Sequence, residues 1–144
     1  MSYLGKILLP LIPLITILQG QIELPKSLPS EQIVFHNGFT LSYNENHEQS
    51  NWVAYELTST EVEGTAPRMD DFRPDVEIKS GTATVIDYKG SGYDRGHLAP
   101  AADMKWSSTA MSESFYMSNM SPQTPGFNRG IWKSLENQVR IWAL

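Results

Sequence analysis

The sequence predicts an α+β domain built on an antiparallel or mixed sheet, and two kinds of pattern support this fold class. Residues 39–43 and 51–58 are rich in strand-forming side chains with partial apolar and polar alternation, and the turn-like run 44–50 between them predicts a hairpin. Near the end of the chain, apolar residues recur at helical spacing, which predicts one apolar helix face. The residues on this face are Trp132, Leu135, Val139 and Trp142.

The remaining segments follow from local composition. Residues 21–37 carry prolines and serines in a polar run, which predicts a linker before a domain at 38–144. Residues 59–82 are rich in loop-forming side chains, and so long a loop is usually functional or poorly ordered. The run 82–88 has strand propensity, and 112–118 is interpreted as a segment entering the sheet. Asn128 follows a Pro-Gly pair and is the expected N-cap of the last helix.

The first 20 residues have the composition of an export signal. Lys6 is their only charge, and a short apolar run interrupted by Pro10 and Pro13 follows it. A membrane-spanning helix needs about 20 continuous apolar residues, so this run favours a secretory signal peptide. We therefore expect a secreted or periplasmic protein without stable membrane insertion, and an uncleaved anchor is the alternative.

Charge and cysteine content limit the functional classes. The chain has no cysteine, which excludes disulfides and zinc–thiolate sites. Removing the predicted signal leaves 10 Lys and Arg against 16 Asp and Glu, an acidic balance that argues against a high-affinity nucleic-acid binder. A local cationic patch still suits an enzyme that holds nucleic acid transiently. Six cations form that patch within 38 residues: Arg68, Arg73, Lys79, Lys89, Arg95 and Lys105.

His97, Asn128 and Glu136 are the candidate catalytic and metal-binding residues. A neutral histidine can take a proton from water near pH 7, although a lone histidine is more often structural. Asn128 and Glu136 are eight residues apart, so on a regular helix they project within about 80° of each other. An amide oxygen and a carboxylate there suit a sparsely coordinated Mg²⁺ ion. The alternatives are a plain N-cap for Asn128 and a solvated helix face for Glu136.

The supporting polar residues have more than one interpretation. Asn119 begins an Asn-Met-Ser glycosylation sequon, and it could instead orient His97 or cap the following turn. Arginine suits phosphate because its planar guanidinium makes forked contacts. Surface solvation is the alternative for Arg129 and for one of the pair Arg68 and Arg73. The four candidate phosphate-binding residues are Arg68, Arg73, Arg95 and Arg129.

Several segments together resemble the sugar-non-specific DNA/RNA endonuclease family, which has the ββα-metal (His-Me finger) fold. The segments are Asp94-Arg95-Gly96-His97, Ser118-Asn119-Met120-Ser121-Pro122-Gln123, Asn128-Arg129-Gly130-Ile131-Trp132 and Leu135-Glu136, with Trp52-Val53-Ala54-Tyr55 and Phe72-Arg73-Pro74-Asp75 upstream. The resemblance implies a hairpin that delivers His97 and a helix that delivers Asn128.

The same resemblance implies a role for each matching residue. His97 would be the general base, Asn128 the direct ligand of Mg²⁺ (or Mn²⁺), and Glu136 the holder of a metal-bound water. Asn119 would support the site, and Arg95 would contact phosphate with either Arg68 or Arg73, of which we favour Arg68. DNA and RNA are the implied partners, cleaved with little sequence preference, while an inhibitor protein and the oligomeric state are left open.

Family domains continue well beyond the metal-binding helix, whereas this sequence stops on it. We therefore expect a truncated domain whose sheet is incomplete at the C-terminus, with Trp132 and Trp142 partly exposed. The alternative function is a catalytically inactive fragment that acts at most as a weak nucleic-acid-binding or interaction module.

Overall fold

A computed structural model describes residues 24–26 and 31–144 of the chain. The N-terminal half contains a three-stranded antiparallel sheet in the order β1-β2-β3. Its strands are β1 (Gln32–Phe35), β2 (Thr40–Asn44) and β3 (Gln49–Ala54). The predicted hairpin is confirmed as β2–β3, with its strand bounds shifted by one to four residues. The predicted signal peptide lies outside the described residues.

Strand β1 lies inside residues 21–37, where the sequence predicted a linker. It pairs antiparallel with β2, and it places Val34 in the core at 6% exposure. The linker was inferred from the prolines and serines of residues 25–30, and the apolar run Ile33-Val34-Phe35 that follows them forms the strand. Its backbone bonds to β2, further along the chain, provide its order. This part of the predicted linker therefore belongs to the folded domain.

Two short helices lie in segments that were predicted otherwise. Helix α1 (Ser59–Val62) begins the predicted loop 59–82, and α2 (Val85–Tyr88) lies within the run predicted to be β-prone. The Thr84 side chain accepts a hydrogen bond from the Ile86 amide, and Asp87 Oδ2 accepts one from the Thr84 amide at 2.6 Å. This reciprocal capping stabilises a helical turn against the strand propensity of the side chains.

The long loop between α1 and α2 is fixed to the sheet by a buried polar group. Asp75 Oδ2 lies 2.9 Å from His36 Nε2 and accepts a 2.5 Å hydrogen bond from Ser118 Oγ. Burial alone would raise the pKa of Asp75, but the bonds from His36 and Ser118 lower it below its usual range. The loop is therefore ordered where it passes the second half of the chain.

A second sheet has two antiparallel strands, β4 (Asp94–His97) and β5 (Met120–Gln123). The chain between them forms a 3-10 turn (Ala101–Met104), helix α3 (Ser108–Glu113) and a second 3-10 turn (Met117–Asn119). The prediction that 112–118 enters the sheet is therefore wrong. Ser107 accepts a hydrogen bond from the Ala110 amide and starts α3 as its N-cap. The predicted segment contains the end of α3, a turn, an isolated bridge from Tyr116 to Arg73 and the start of the second 3-10 turn, and it leads into β5 without being a strand itself.

The last helix, α4 (Lys133–Ala143), follows a π-helical segment, Phe127–Trp132. Gly130 lies within this π-helical segment and has φ −102° and ψ −107°, a non-helical conformation that kinks the helical region. The predicted 80° relation between Asn128 and Glu136 assumed one regular helix, and this kink makes that assumption wrong. Asn128 is also not the N-cap, because residues 125 and 126 before it already have helical backbone.

Most of the core lies in the first three strands and the segments around α3. One buried cluster joins the three-stranded sheet to the first 3-10 turn, and a second surrounds Phe115. Helix α4 has no buried residue, and Leu135 and Trp142 are 46% and 71% exposed. Both tryptophans are at least partly exposed, as expected: Trp132 is half-buried and Trp142 is exposed. Among the described residues, no helix is both long and apolar enough to cross a membrane.

Candidate active site

The β4–β5 pairing sets the orientation of the central sequence motif. Asp94 lies opposite Gln123, and His97 lies opposite Met120. Because side chains alternate along a strand, Arg95 and His97 share one face of β4. Gly96 lies against Gln123, and a Cβ added to it would come within 2.1 Å of that side chain. The Gln123 side chain therefore occupies the space that a larger residue would need at this position.

His97 lies in an aromatic pocket. Its ring centroid is 5.8 Å from that of Phe72 and 5.0 Å from that of Phe115, and its Nε2 is buried without a hydrogen-bond partner among the described residues. Burial, together with the charges of Arg68 and Arg95, lowers the pKa of His97 to about 3. The imidazole is therefore neutral near pH 7, the protonation state in which a ring nitrogen can accept a proton.

Two of the candidate arginines lie against the aromatic rings around His97. Arg95 Cζ is 4.0 Å from the centroid of Phe72, and Arg68 Cζ is 4.8 Å from that of Phe115. The Arg68 side chain is 53% exposed and pairs with Asp70 at 2.7 Å. Both guanidinium groups act on the pKa of the same imidazole. The structure therefore brings Arg68, Arg95 and His97 together.

Arg73 makes structural contacts instead. Its Nη1 donates to Asp71 Oδ2 and to the Ser112 carbonyl, both at 2.9 Å, and its Cζ lies 4.1 Å from the centroid of Tyr116. The Arg73 backbone also bonds to that of Phe115 and Met117. Of the two arginines between which the sequence left a choice, Arg68 is the one beside the histidine.

Asn119 supports the turn that follows His97 and does not contact the imidazole. Its Nδ2 donates to the carbonyls of Ala99 (2.9 Å) and Ser114 (2.8 Å), and its Oδ1 accepts from the Ala99 amide at 2.8 Å. With 0% exposure, the side chain is inaccessible to a glycosyltransferase in the folded protein. Asn119 is therefore a structural bridge, and the sequon interpretation does not fit the folded chain.

Asp94 ties the helical segment to β4. Its carboxylate accepts two hydrogen bonds from the Arg129 guanidinium, at 2.6 and 2.8 Å, and one from Asn128 Nδ2 at 3.0 Å. These bonds lower the pKa of Asp94, and the bonds from Arg129 have the largest effect. Trp132 Nε1 also donates to the His97 carbonyl at 3.1 Å. Sequence reasoning placed Trp132 only on the apolar helix face and gave Asp94 no role of its own, although both lie in the quoted motifs.

Glu136, like His97, lies close enough to Arg68 for the charge of that arginine to affect its pKa. It is partly buried, and burial raises its pKa, whereas the charges of Arg140 and Arg68 act in the opposite direction. Arg140 Nη1 in turn donates to Asp103 Oδ1 at 2.5 Å, and Asp103 Oδ2 accepts from the Tyr55 hydroxyl at 2.7 Å. Glu136 is therefore not on a fully solvated face, and the ion pair below it joins α4 to the first 3-10 turn.

The donor set fits a sparsely coordinated hard cation. The described part of the chain has no group of three or more His, Cys, Asp or Glu side chains placed to hold a metal ion. Asn128, however, uses its Nδ2 on Asp94, and this bond fixes the orientation of the amide and leaves Oδ1 as an oxygen donor. Mg²⁺ commonly takes one or two protein oxygens and keeps several waters. Asn128 and Glu136 are such oxygen donors.

The histidine lies on an antiparallel strand pair whose strands are joined by a long helical connection, and not on the tight hairpin that the resemblance implied. This strand pair, followed by a tethered helical region that carries an amide and a carboxylate, defines the ββα-metal class of nuclease folds. Comparison with known proteins agrees. The sequence model of the DNA/RNA non-specific endonucleases matches residues 22–144. A crystal structure of the EndoG/EndoGI complex, described as showing the mechanism of EndoG inhibition, has a TM-score of 0.72 at 35% identity. That match covers 77% of this chain and 47% of the other.

The chain belongs to the DNA/RNA non-specific endonuclease family. It is 43% identical over 117 residues to a nuclease of Nostoc sp., covering 80% of this chain and 42% of that protein. It is 39% identical over 111 residues to the mitochondrial endonuclease G of Homo sapiens, covering 76% of this chain and 37% of that protein. The chain thus spans less than half the length of these relatives.

Proposed function

We propose that this protein is a Mg²⁺-dependent endonuclease that hydrolyses phosphodiester bonds of DNA and RNA with little sequence preference. The observation that carries the proposal is the position of His97, a buried neutral imidazole with two arginines beside it. A base that must accept a proton from water needs this neutral state, and a phosphodiester needs cations close to the base. Both requirements are met within one strand and one loop.

Each residue has a defined part in the proposed reaction. His97 takes the proton from the attacking water, while Arg68 and Arg95 neutralise the phosphate that the water attacks. Asn128 Oδ1 would hold the metal ion directly and Glu136 would hold it through water, with Mn²⁺ as a possible substitute for Mg²⁺. When bound, the ion supplies positive charge to the phosphate and the leaving oxygen. Asn119 keeps the backbone after His97 in place.

The charge of the chain supports turnover rather than tight binding. The net charge is −5, so the protein as a whole repels nucleic acid, and attraction depends on the arginines of the site. Contacts between arginine and phosphate carry no sequence information, which accounts for the proposed lack of sequence preference.

Cleavage of supercoiled plasmid and of single-stranded RNA by the full chain tests this proposal. Cutting with Mg²⁺ that EDTA abolishes is expected, together with its loss in His97→Ala. His47→Ala is the matched control, because that histidine is exposed on the β2–β3 turn and should be dispensable. Equal activity in both variants, or cutting that persists in EDTA, would refute the assigned mechanism.

The exposed apolar residues of α4 favour one alternative function, that of an inactive module that binds nucleic acid weakly or contacts another protein. Folded wild-type protein that binds a labelled oligonucleotide but never cuts it would support this alternative. Circular dichroism on the same sample distinguishes that result from a failure to fold.

We also propose export, because the charge and apolar run of residues 1–20 have the composition of a secretory signal. Mass spectrometry of the mature protein tests this. A mature N-terminus near residue 21 is expected, and a retained Met1 in membrane-bound protein would indicate an uncleaved anchor instead.

A further inference from the structure

We infer that Phe72 is a positioning residue that holds Arg95 and His97 at a fixed separation through its single aromatic ring. The inference rests on the proposed function, because it concerns the phosphate-binding cation and the base of that reaction. Phe72 lies in the long loop between α1 and α2 and does not contact the reacting atoms. Phe72 therefore acts on the reaction only through Arg95 and His97.

The ring of Phe72 contacts both functional groups. The Arg95 guanidinium carbon lies 4.0 Å from the ring centroid, a distance typical of a cation–π contact. The His97 ring lies 5.8 Å away with an interplanar angle of 61°, which is an edge-to-face arrangement. Any movement of this ring would therefore displace the cation and change the packing of the base together.

Neighbouring contacts hold the ring in place. Phe72 packs edge-to-face on Phe115 at 4.9 Å with an interplanar angle of 87°, and Phe115 itself is completely buried. On the C-terminal side, the Arg73 amide donates to the Phe115 carbonyl and the Arg73 carbonyl accepts from the Met117 amide at 2.9 Å. Asp75, two residues further on, is bonded to His36 and Ser118. The loop therefore presents the ring from a rigid support.

An apolar side chain alone would not provide this function. Leucine at position 72 would still pack on the apolar cluster around Phe115, but it has no π face to attract a guanidinium. Arg95 would then lose its orientation while the fold remained. Tyrosine keeps the ring, so Phe72→Tyr should behave like the wild type. The comparison of these two variants distinguishes a need for the ring from a need for apolar volume.

The first test is steady-state cleavage by the full chain in both variants. Phe72→Leu should lower kcat/KM by about tenfold to a hundredfold, the scale expected when a group at a reacting centre is misplaced. Phe72→Tyr should keep the kcat/KM of the wild type. Tyr116→Leu is the matched control, since it removes the same kind of ring from under Arg73 at 4.1 Å, away from the base. An equal loss in Tyr116→Leu, or full activity in Phe72→Leu, would overturn the inference.

A second measurement does not require activity. NMR of the Arg95 side chain should show a rigid guanidinium in the wild type and in Phe72→Tyr, and a mobile one in Phe72→Leu. The His97 ring, which is influenced by Arg68, Arg95 and Asp70, should titrate at a higher pH in the leucine variant alone. An immobile Arg95 and unchanged titration in Phe72→Leu would refute positioning. If the NMR spectra differ between the variants as expected but the wild type never cuts nucleic acid, the proposed function is refuted and the positioning role of Phe72 is not.

Discussion

The buried His97 should make the stability of the folded chain fall with decreasing pH over a defined window. The ordinary pKa of histidine is 6.5, and the folded protein lowers it to about 3, mainly through burial. Between these values the unfolded chain binds a proton that the folded chain does not. Unfolding is therefore favoured as the pH falls from 6.5 to about 3, and the contribution of His97 is fully present only above that window.

The size of the effect follows from the pKa difference. Each unit of pKa shift corresponds to about 1.4 kcal/mol, so the whole window is worth about 5 kcal/mol. Between pH 7 and pH 5 alone, His97 should reduce the free energy of unfolding by about 2 kcal/mol. That is a large fraction of the roughly 5–15 kcal/mol by which proteins are stable.

Urea unfolding followed by tryptophan fluorescence, at pH 7, 6, 5 and 4, measures this effect. His97→Phe is the control, because phenylalanine keeps an aromatic ring between Phe72 and Phe115 but cannot titrate. Asp75 and Asp94, whose pKa values are lowered, also lose stabilising contacts in acid, and they are common to both proteins. The difference in unfolding free energy between wild type and variant therefore isolates the imidazole.

The stability of His97→Phe relative to wild type should increase by about 1.4 kcal/mol per pH unit below pH 6, up to the limit set by the folded pKa. A difference that stays constant from pH 7 to pH 4 would show that His97 titrates normally in the folded state. The reasoning from burial and from the flanking arginines would then be wrong.

Three further substitutions have defined outcomes. Asn119→Ala should lower stability by about 3 kcal/mol in thermal or urea unfolding, because it leaves buried backbone groups without partners. Asp94→Asn should raise the Mg²⁺ concentration for half-maximal cleavage by about tenfold, because the Asn128 amide loses a charged anchor. Gly96→Ala should cost about 1–3 kcal/mol in the same unfolding assay, because Gln123 must move. If a substitution leaves its measured value unchanged, the contact on which that prediction rests does not have the expected effect.

The parts of the site that local sequence could predict are those that depend on strand alternation and residue chemistry. Arg95 and His97 are two residues apart, so any extended conformation places them on one face. Helices α1 and α2 were also predictable, because Thr58 and Thr84 each stand three residues before an acidic residue in a capping box. The strand propensity of the second segment obscured that signal.

The rest depends on contacts that are distant in sequence. Asn128 was expected as an N-cap, but its amide bonds to Asp94, which lies 34 residues earlier. The pairing of His36 with Asp75 spans 39 residues. No local pattern indicates which distant partner satisfies a polar group, and no periodicity predicted the kink at Gly130. The aromatic surroundings of His97 likewise appear only when the long loop is packed on α3.

The helical region 127–143, which carries the proposed metal-binding residues, is held mainly by polar contacts, since none of its residues is buried. Asp94 joins its start to β4, the Trp132 indole bonds to the His97 carbonyl, and Arg140 pairs with Asp103 further along. Two of these contacts end on the strand that bears the base. The separation between the proposed base and the proposed metal ligand is therefore fixed by the β4 motif itself, which explains how residues 31 positions apart could form one site without a shared apolar core.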